Sequence, residues 1–446
     1  MGPALSYLPV DIMVYAGIVN PGCLCYLNSA IQQLFMIPSF RESILSLSSS
    51  LVLDSSSDSF LSELLKIFQC LDSARLRSIE LPENTSRFSS PHSIRRVDAI
   101  DPLPLSRTIW NPLRVTDEGG EDGEIGNYLD PDEQMDVSEF LSCFFTQLSS
   151  SLKSCHPLLQ IGRSVCGEIN NELTADIVRG VKDGNSSLRI KTNEQFFYLS
   201  LKVGTIRAAV TSISADKPSS RYIGNLDDAL DDFTRYEAVS AMWSRNQGES
   251  LVRELLPSTN SCTLSAAALP PHLLIHLKRF RFDYEQMCQV KVNSRFEFPH
   301  EENDSSYLDL WRHTTEGRKE LEDDREWERN MREGNDCLDT VACDISAKAS
   351  CKYVLSGVIV HVGTALDGHY FSLVRERGGK RQDQQENKGR SKRGQQSRWF
   401  KIDDEVVTEF QLSDMKREAY GKEEGDDDVD GCSVGQNAFI LIYDKI

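Results

Sequence analysis

The sequence predicts an α+β protein, and three observations carry that reading. The front part sets apolar residues at helical spacing, the pattern turns toward alternation from about residue 160, and the strand-like remainder is broken by charged insertions. A chain of 446 residues can bury a large core. At roughly 150 residues per domain it allows two or three domains, and one elaborated domain fits as well.

Over residues 24–37, Leu27, Ile31, Leu34 and Phe35 fall at i, i+4, i+7 and i+8, and Pro38 ends the predicted helix. A second helix follows at "SFLSELLKIFQCL", with Leu61, Leu64, Leu65 and Phe68 on one stripe. "ENTSRFSSPHSIRRVDAIDPLPLSRTIWNP" is rich in Pro, Ser and charge and reads as irregular; "DEGGEDGEIGNYLDPDE" reads as an acidic loop. Helical spacing returns in "MDVSEFLSCFFTQLSSSL" through Val137, Phe140, Leu141, Phe144 and Leu148. "EQFFYLSLKV" and "LLIHLKRFRF" then alternate as strands do, and "YVLSGVIVHV" with "HYFSLVRE" reads as two strands joined by the turn "GTALDG". "RWFKIDDEVV" and "NAFILIYDKI" add two more. Three stretches look like surface insertions: a charged one near 301–349 with a solvated helix around "KELEDDREWERNM", a basic low-complexity one near 376–397, and an acidic one near 416–435.

The formal net charge of −19 argues against a nucleic-acid binder, which needs a basic footprint, and suits a basic partner. No run approaches the ~18 apolar residues of a membrane span. "MGPALS" has the form of a myristoylation site, with Pro3 against it, and an opening cut from a larger protein is an equal reading. Twelve scattered cysteines and no secretory leader suggest a reducing compartment, cytoplasmic or nuclear. The basic 376–397 stretch reads either as a nuclear-import signal or as a flexible loop.

Chemistry enters at "GIVNPGCLCYLNSAIQQLF", residues 17–35. A free thiol with a pKa of about 8.5 is mostly protonated at neutral pH, and a helix N-terminus favours its thiolate. Cys25 stands at that position, whereas Cys23 lies in the preceding turn. Alone, such a cysteine is more often a small buried hydrophobe. A base is needed, and His369 in "DGHYF" lies at a hairpin mouth where glycine leaves space for a substrate backbone. His361, on the facing strand, has a similar claim. The carboxylates of "KIDDEV" could orient the imidazole, or form a solvated strand edge.

Six blocks, in order across nearly the whole chain, resemble the ubiquitin-specific proteases. "GIVNPGCLCYLNSAIQQLF" resembles the family's cysteine box, G-L-x-N-x-G-x-T-C-Y-M-N-S-x-x-Q, and "LPPHLLIHLKRFRFD" its L-P-x-x-L-x-x-H-L-K-R-F segment. "KVNSRFEFP" resembles the next strand, "YVLSGVIVHVGTALDGHYFSLV" the histidine box, "RWFKIDDEVV" the acid box and "NAFILIYDK" the closing strand. The resemblance implies a papain-like core made of a helical thumb (about 17–160), β fingers with part of the palm (about 161–268) and a β-rich palm (about 269–446). It also implies hydrolysis after the C-terminal glycine of ubiquitin through a thioester, with ubiquitin and ubiquitinated proteins as partners and no cofactor. Residue by residue, it implies Cys25 as nucleophile, His369 as general base and acid, Asp403 as orienter, Asp404 as a possible secondary acid, and Asn20 as oxyanion donor. "EQMDVSEF" resembles the element holding the substrate's arginine-bearing tail, which implies Asp136 and Glu139 in that cleft, with Phe280, Gly368 and Tyr370 lining it.

The sequence departs from the family at Leu24, where threonine is usual, and at Cys23. It also has no C-x-x-C pair, and only Cys166 and Cys262 fall in the fingers region, so those fingers are expected to fold without zinc. "FDYEQMCQ" and "GTALDG" match the family's two blocking loops, which read equally well as plain hairpin turns. Two alternatives stand beside the deubiquitinase: an inactive ubiquitin-binding scaffold, and a protease for another ubiquitin-like modifier.

Overall fold

The computed structural model describes residues 15–50, 59–76, 100–110, 128–152, 164–177, 186–207, 220–247, 250–300, 307–333, 348–377, 397–422 and 435–446. In chain order the helices α1 (Cys25–Met36), α2 (Pro38–Ser50), α3 (Ser59–Leu76), α4 (Leu103–Ser106) and α5 (Val137–Leu152) come first. They are followed by β1 (Gly167–Ile177), β2 (Ser186–Phe196), β3 (Leu199–Lys202), β4 (Gly204–Arg207), β5 (Ser220–Ile223), α6 (Leu226–Phe233), β6 (Glu237–Gln247), β7 (Ser250–Leu264), β8 (His272–Lys278), β9 (Phe280–Asp283), β10 (Cys288–Lys291) and β11 (Leu308–Asp309). The chain closes with α7 (Thr315–Glu333), β12 (Lys352–Gly363), β13 (Gly368–Arg375), β14 (Trp399–Asp403), β15 (Val406–Phe410), α8 (Met415–Ala419) and β16 (Gly435–Lys445). Two compact units result: Met1–Ile161 with Gly357–Gly363 and Asp367–Asp414, and Gly162–Ser356 with Thr364–Leu366 and Met415–Ile446.

In the first unit α1 is buried along its whole length, polar residues included. Burial of those polar groups is tolerable because they bond to main chain. Gln33 Nε2 donates to the carbonyls of Val358 (3.1 Å) and Leu373 (3.0 Å), tying α1 to β12 and β13 at once. A Cβ on Gly357 would stand 2.0 Å from Gln33 Oε1, so the strand admits only glycine where the helix crosses it. Ser372 of β13 donates to the Ser29 carbonyl (2.9 Å). Pro38 both ends α1, with Ile37 extended, and opens α2, a position proline favours because its missing N–H has no helical acceptor there. The α5 stripe predicted from spacing is the buried face, and Phe140 meets Tyr26 at 5.6 Å between ring centroids. Here residues 357–363 of β12, β13, β14 and β15 form successive antiparallel pairs.

The second unit carries a four-stranded antiparallel sheet in the order β2-β1-β7-β6. Cys262 pairs opposite Asn171 of β1, and Cys166 precedes that strand, so along β1 the two thiols are separated by five residues, about 16 Å. They do not approach as ligands of one ion would. In the same unit β8 pairs antiparallel with β16 and parallel with β3. Arg279 of the "HLKRF" segment is wholly buried and spends its guanidinium on the carbonyls of Ala438, Val292 and Ser294. The charged insertion forms α7, as predicted. β9 and β10 form a hairpin whose tip exposes Tyr284 and Met287. The predicted acidic loop before Tyr128 and most of the 376–397 and 416–435 stretches lie outside the described residues. Among the described residues no helix is long and apolar enough to cross a membrane.

Candidate active site

Cys25 opens α1 and is 3% exposed. The turn before it is set by Asn20, whose Oδ1 accepts from the Leu24 N–H (3.0 Å) and, at 3.4 Å, from the Gly22 N–H. Leu24 is fully buried, so the departure from threonine there is filled by apolar packing.

His369 lies on β13 opposite Val362, one residue past the hairpin mouth. Its Nε2 meets Asp403 Oδ1 at 2.6 Å, which leaves Nδ1 as the ring nitrogen available to the Cys25 thiol. The hydrogen bond to Asp403, then the influence of Cys25, raises the imidazole to about 10 against the opposing effect of burial. Burial would lift the Asp403 carboxyl, but the hydrogen bond and charge of His369, with Lys401 at 4.0 Å, hold it below its ordinary value. Both shifts point the same way, to an imidazolium–carboxylate pair at neutral pH.

Asp404 faces elsewhere. It occupies the left-handed region (φ 49°) in the two-residue turn between β14 and β15, a conformation aspartate tolerates. From there its Oδ2 accepts from Asn20 Nδ2 (2.9 Å) and its Oδ1 from Asn28 Nδ2 (2.8 Å), while its carbonyl accepts from the Ile18 N–H (3.0 Å). Gly17 is required beside it, because a Cβ would lie 2.5 Å from the Asp404 carbonyl oxygen. Asp404 Oδ2 stands 3.9 Å from His369 Nε2, beyond hydrogen-bond reach. In this arrangement it bonds to Asn20 and Asn28, and stands within ion-pair distance of the His369 ring without a hydrogen bond to it. The donor atoms of His369, Asp403 and Asp404 lie within 4.8 Å of one another, as metal ligands could, but each is committed to the hydrogen bonds just described.

The tail-cleft residues divide. Asp136 spends its Oδ1 on the Ser138 N–H (2.6 Å), capping α5, and burial raises its carboxyl. Glu139, in the first turn of α5, is exposed at its surface side, and partial desolvation, then Asp136, raises its carboxyl. Gly368 is required by packing, since a Cβ there would fall 2.3 Å from His361 Nε2. Tyr370 is 1% exposed with its ring 4.6 Å from that of His361, so it backs the hairpin instead of presenting an open wall. The buried His361 thereby loses its rival claim as base. Phe280 belongs to the second unit, where its ring packs 4.9 Å from that of Phe439.

Sequence reasoning missed Asn28 and Gln134. Asn28 interrupts the apolar stripe of α1 three residues after Cys25, which was the available signal. Gln134 stands inside "EQMDVSEF", the block already matched to the family's tail-holding element, and that was its signal.

The family model described as ubiquitin carboxyl-terminal hydrolase matches residues 16–443. The chain belongs to that family. Its fold is the family's α+β, papain-like one. Ubiquitin carboxyl-terminal hydrolase 9X of Mus musculus is 26% identical over 479 residues, covering 97% of this chain and 16% of that protein. Ubiquitin carboxyl-terminal hydrolase 24 of Homo sapiens is 26% identical over 441 residues, covering 94% and 13%. Probable ubiquitin carboxyl-terminal hydrolase FAF of Drosophila melanogaster is 24% identical over 436 residues, covering 92% and 13%. The chain thus spans 16% or less of the length of these three relatives.

Proposed function

We propose that this chain is a thiol-dependent deubiquitinase that hydrolyses the peptide or isopeptide bond after the C-terminal glycine of ubiquitin. The observation that carries the reading is the line from Cys25 through His369 to Asp403, within a chain of this family. Cys25 attacks the glycine carbonyl as thiolate, and the oxyanion forms against Asn20 Nδ2 and the Cys25 backbone N–H. The His369 imidazolium gives its proton to the departing amine, releasing the substrate protein and leaving a thioester. The now neutral imidazole takes a proton from water, whose oxygen attacks the thioester. Ubiquitin leaves with a free carboxylate, and the thiolate–imidazolium pair returns.

Glu139, with the remaining oxygen of Asp136, supplies negative charge for the arginines of the ubiquitin tail. Substrate entry moves the exposed tips of the β9–β10 and β12–β13 turns, where Tyr284, Met287 and Leu366 stand in solvent. Twelve cysteines scattered along the sequence favour a reducing compartment, cytoplasm or nucleus. A scaffold would have no use for a charged imidazole set between thiol and carboxylate, which favours the enzyme over the inactive relative.

The test is release of a fluorophore from the C-terminus of ubiquitin, with another ubiquitin-like modifier run in parallel. Turnover of the ubiquitin substrate that Cys25→Ala abolishes is the expected result. No turnover by the wild type, or turnover of the other modifier alone, contradicts the proposal.

A further inference from the structure

We propose that Gln134 is a positioning residue for this reaction: its side-chain amide grips the Gly368 peptide and so fixes where the His369 imidazole stands against Cys25. The inference rests on the reading above for its role in turnover, but its geometry is independent of it.

β13 begins at Gly368, and β14 pairs with it only over Ser372–Arg375. The catalytic end of β13 therefore extends past its neighbour, and an uncovered strand end leaves donors and acceptors without partners and frays. Gln134 takes the neighbour's place. Its Nε2 donates to the Gly368 carbonyl (2.8 Å), and its Oε1 accepts from the Gly368 N–H (3.1 Å). Two bonds to one residue reproduce what an adjacent strand supplies, and a primary amide offers the required donor and acceptor side by side. His369 is the next residue along.

The same stretch reaches the nucleophile. Pro131 accepts from the Cys23 N–H (2.6 Å), and a Cβ on Gly22 would lie 2.5 Å from that carbonyl oxygen. At its other end Asp136 caps α5. Residues 131–136 thus hold the Cys25 turn by one contact and the His369 strand by another, anchored on a helix whose apolar face is buried. Asp403 sets the tilt of the ring; Gln134 sets the position of the backbone that carries it. A displacement of about 1 Å at reacting groups can lower a rate by about a hundredfold, so loosening this grip should appear in catalysis before it appears in binding.

Gln134→Ala should lower kcat about tenfold with KM for the ubiquitin substrate unchanged. Gln134→Glu keeps the size, and its protonated carboxyl offers both a donor and an acceptor, whereas the ionised form has lost the donor. Its activity relative to wild type should therefore be highest at acidic pH and fall as pH rises, which a merely structural role would not produce. Alkylation of Cys25 by iodoacetamide, which needs no ubiquitin, should slow several-fold in Gln134→Ala, so the geometry is read even if the ubiquitin substrate proves wrong. The proposal is overturned by an unchanged kcat in Gln134→Ala, by an effect on KM alone, by an activity ratio for Gln134→Glu that is flat with pH, or by unchanged alkylation.

Discussion

The proposed base side of the site and its proposed oxyanion side draw on adjacent carboxylates, yet they are built by opposite means. On the base side Asp403 makes one short contact to a ring held as imidazolium, and both side chains are more than one-third exposed. On the oxyanion side Asp404 is 16% exposed and accepts from two neutral amides, those of Asn20 and Asn28. Under the proposed mechanism, mobile charge stands where a proton would move, and fixed dipoles where negative charge would develop without reorganisation. The left-handed turn at Asp404 permits the division, since it sends two successive side chains to different partners.

The largest effect should come from exchanging the two carboxylates for alanine one at a time. Asp403→Ala removes the support of the general base and should lower kcat by about a hundredfold. Asp404→Ala frees Asn20, which keeps its bonds to the Leu24 and Gly22 N–H groups, and should lower kcat by about tenfold. A larger loss in Asp404→Ala than in Asp403→Ala, by steady-state kinetics, would reverse the assignment.

A second difference should appear in stability against pH. His369 titrates near 10 when folded and near its ordinary 6.5 when unfolded. Between those values the native state binds more protons, so this contribution is complete below about 6.5 and is lost as pH rises toward 10. Asp403→Asn should flatten that fall, because the main cause of the raised value is gone. Urea unfolding at several pH values checks it, and an unchanged slope in the variant contradicts the ion pair.

The smallest effect belongs to the exposed Glu139. Glu139→Gln should raise KM for ubiquitin about two- to fivefold with kcat unchanged, and the difference should shrink at high salt. A salt-independent change would argue for packing instead of charge.

The helices and the candidate triad could be read from the sequence because their signals are local. Helical stripes repeat within a few residues, and Cys25, His369 and Asp403 each sit in a short distinctive block. The roles of Asp404, Gly368 and Gln134 depend on what comes near them from far along the chain. Asp404 meets Asn20 across 384 residues, and Gln134 meets Gly368 across 234. No spacing rule relates such pairs. "DGHYF" rightly demanded a glycine, but the occupant that demands it is the His361 ring, visible only once β12 and β13 pair.

The most direct test of the central claim is peptide mapping after incubation with ubiquitin bearing a C-terminal electrophile. One adduct on Cys25, absent in Cys25→Ala and slowed in His369→Ala, is the predicted result. Labelling at Cys23 or another thiol, or labelling of Cys25 at the same rate without His369, would contradict the account.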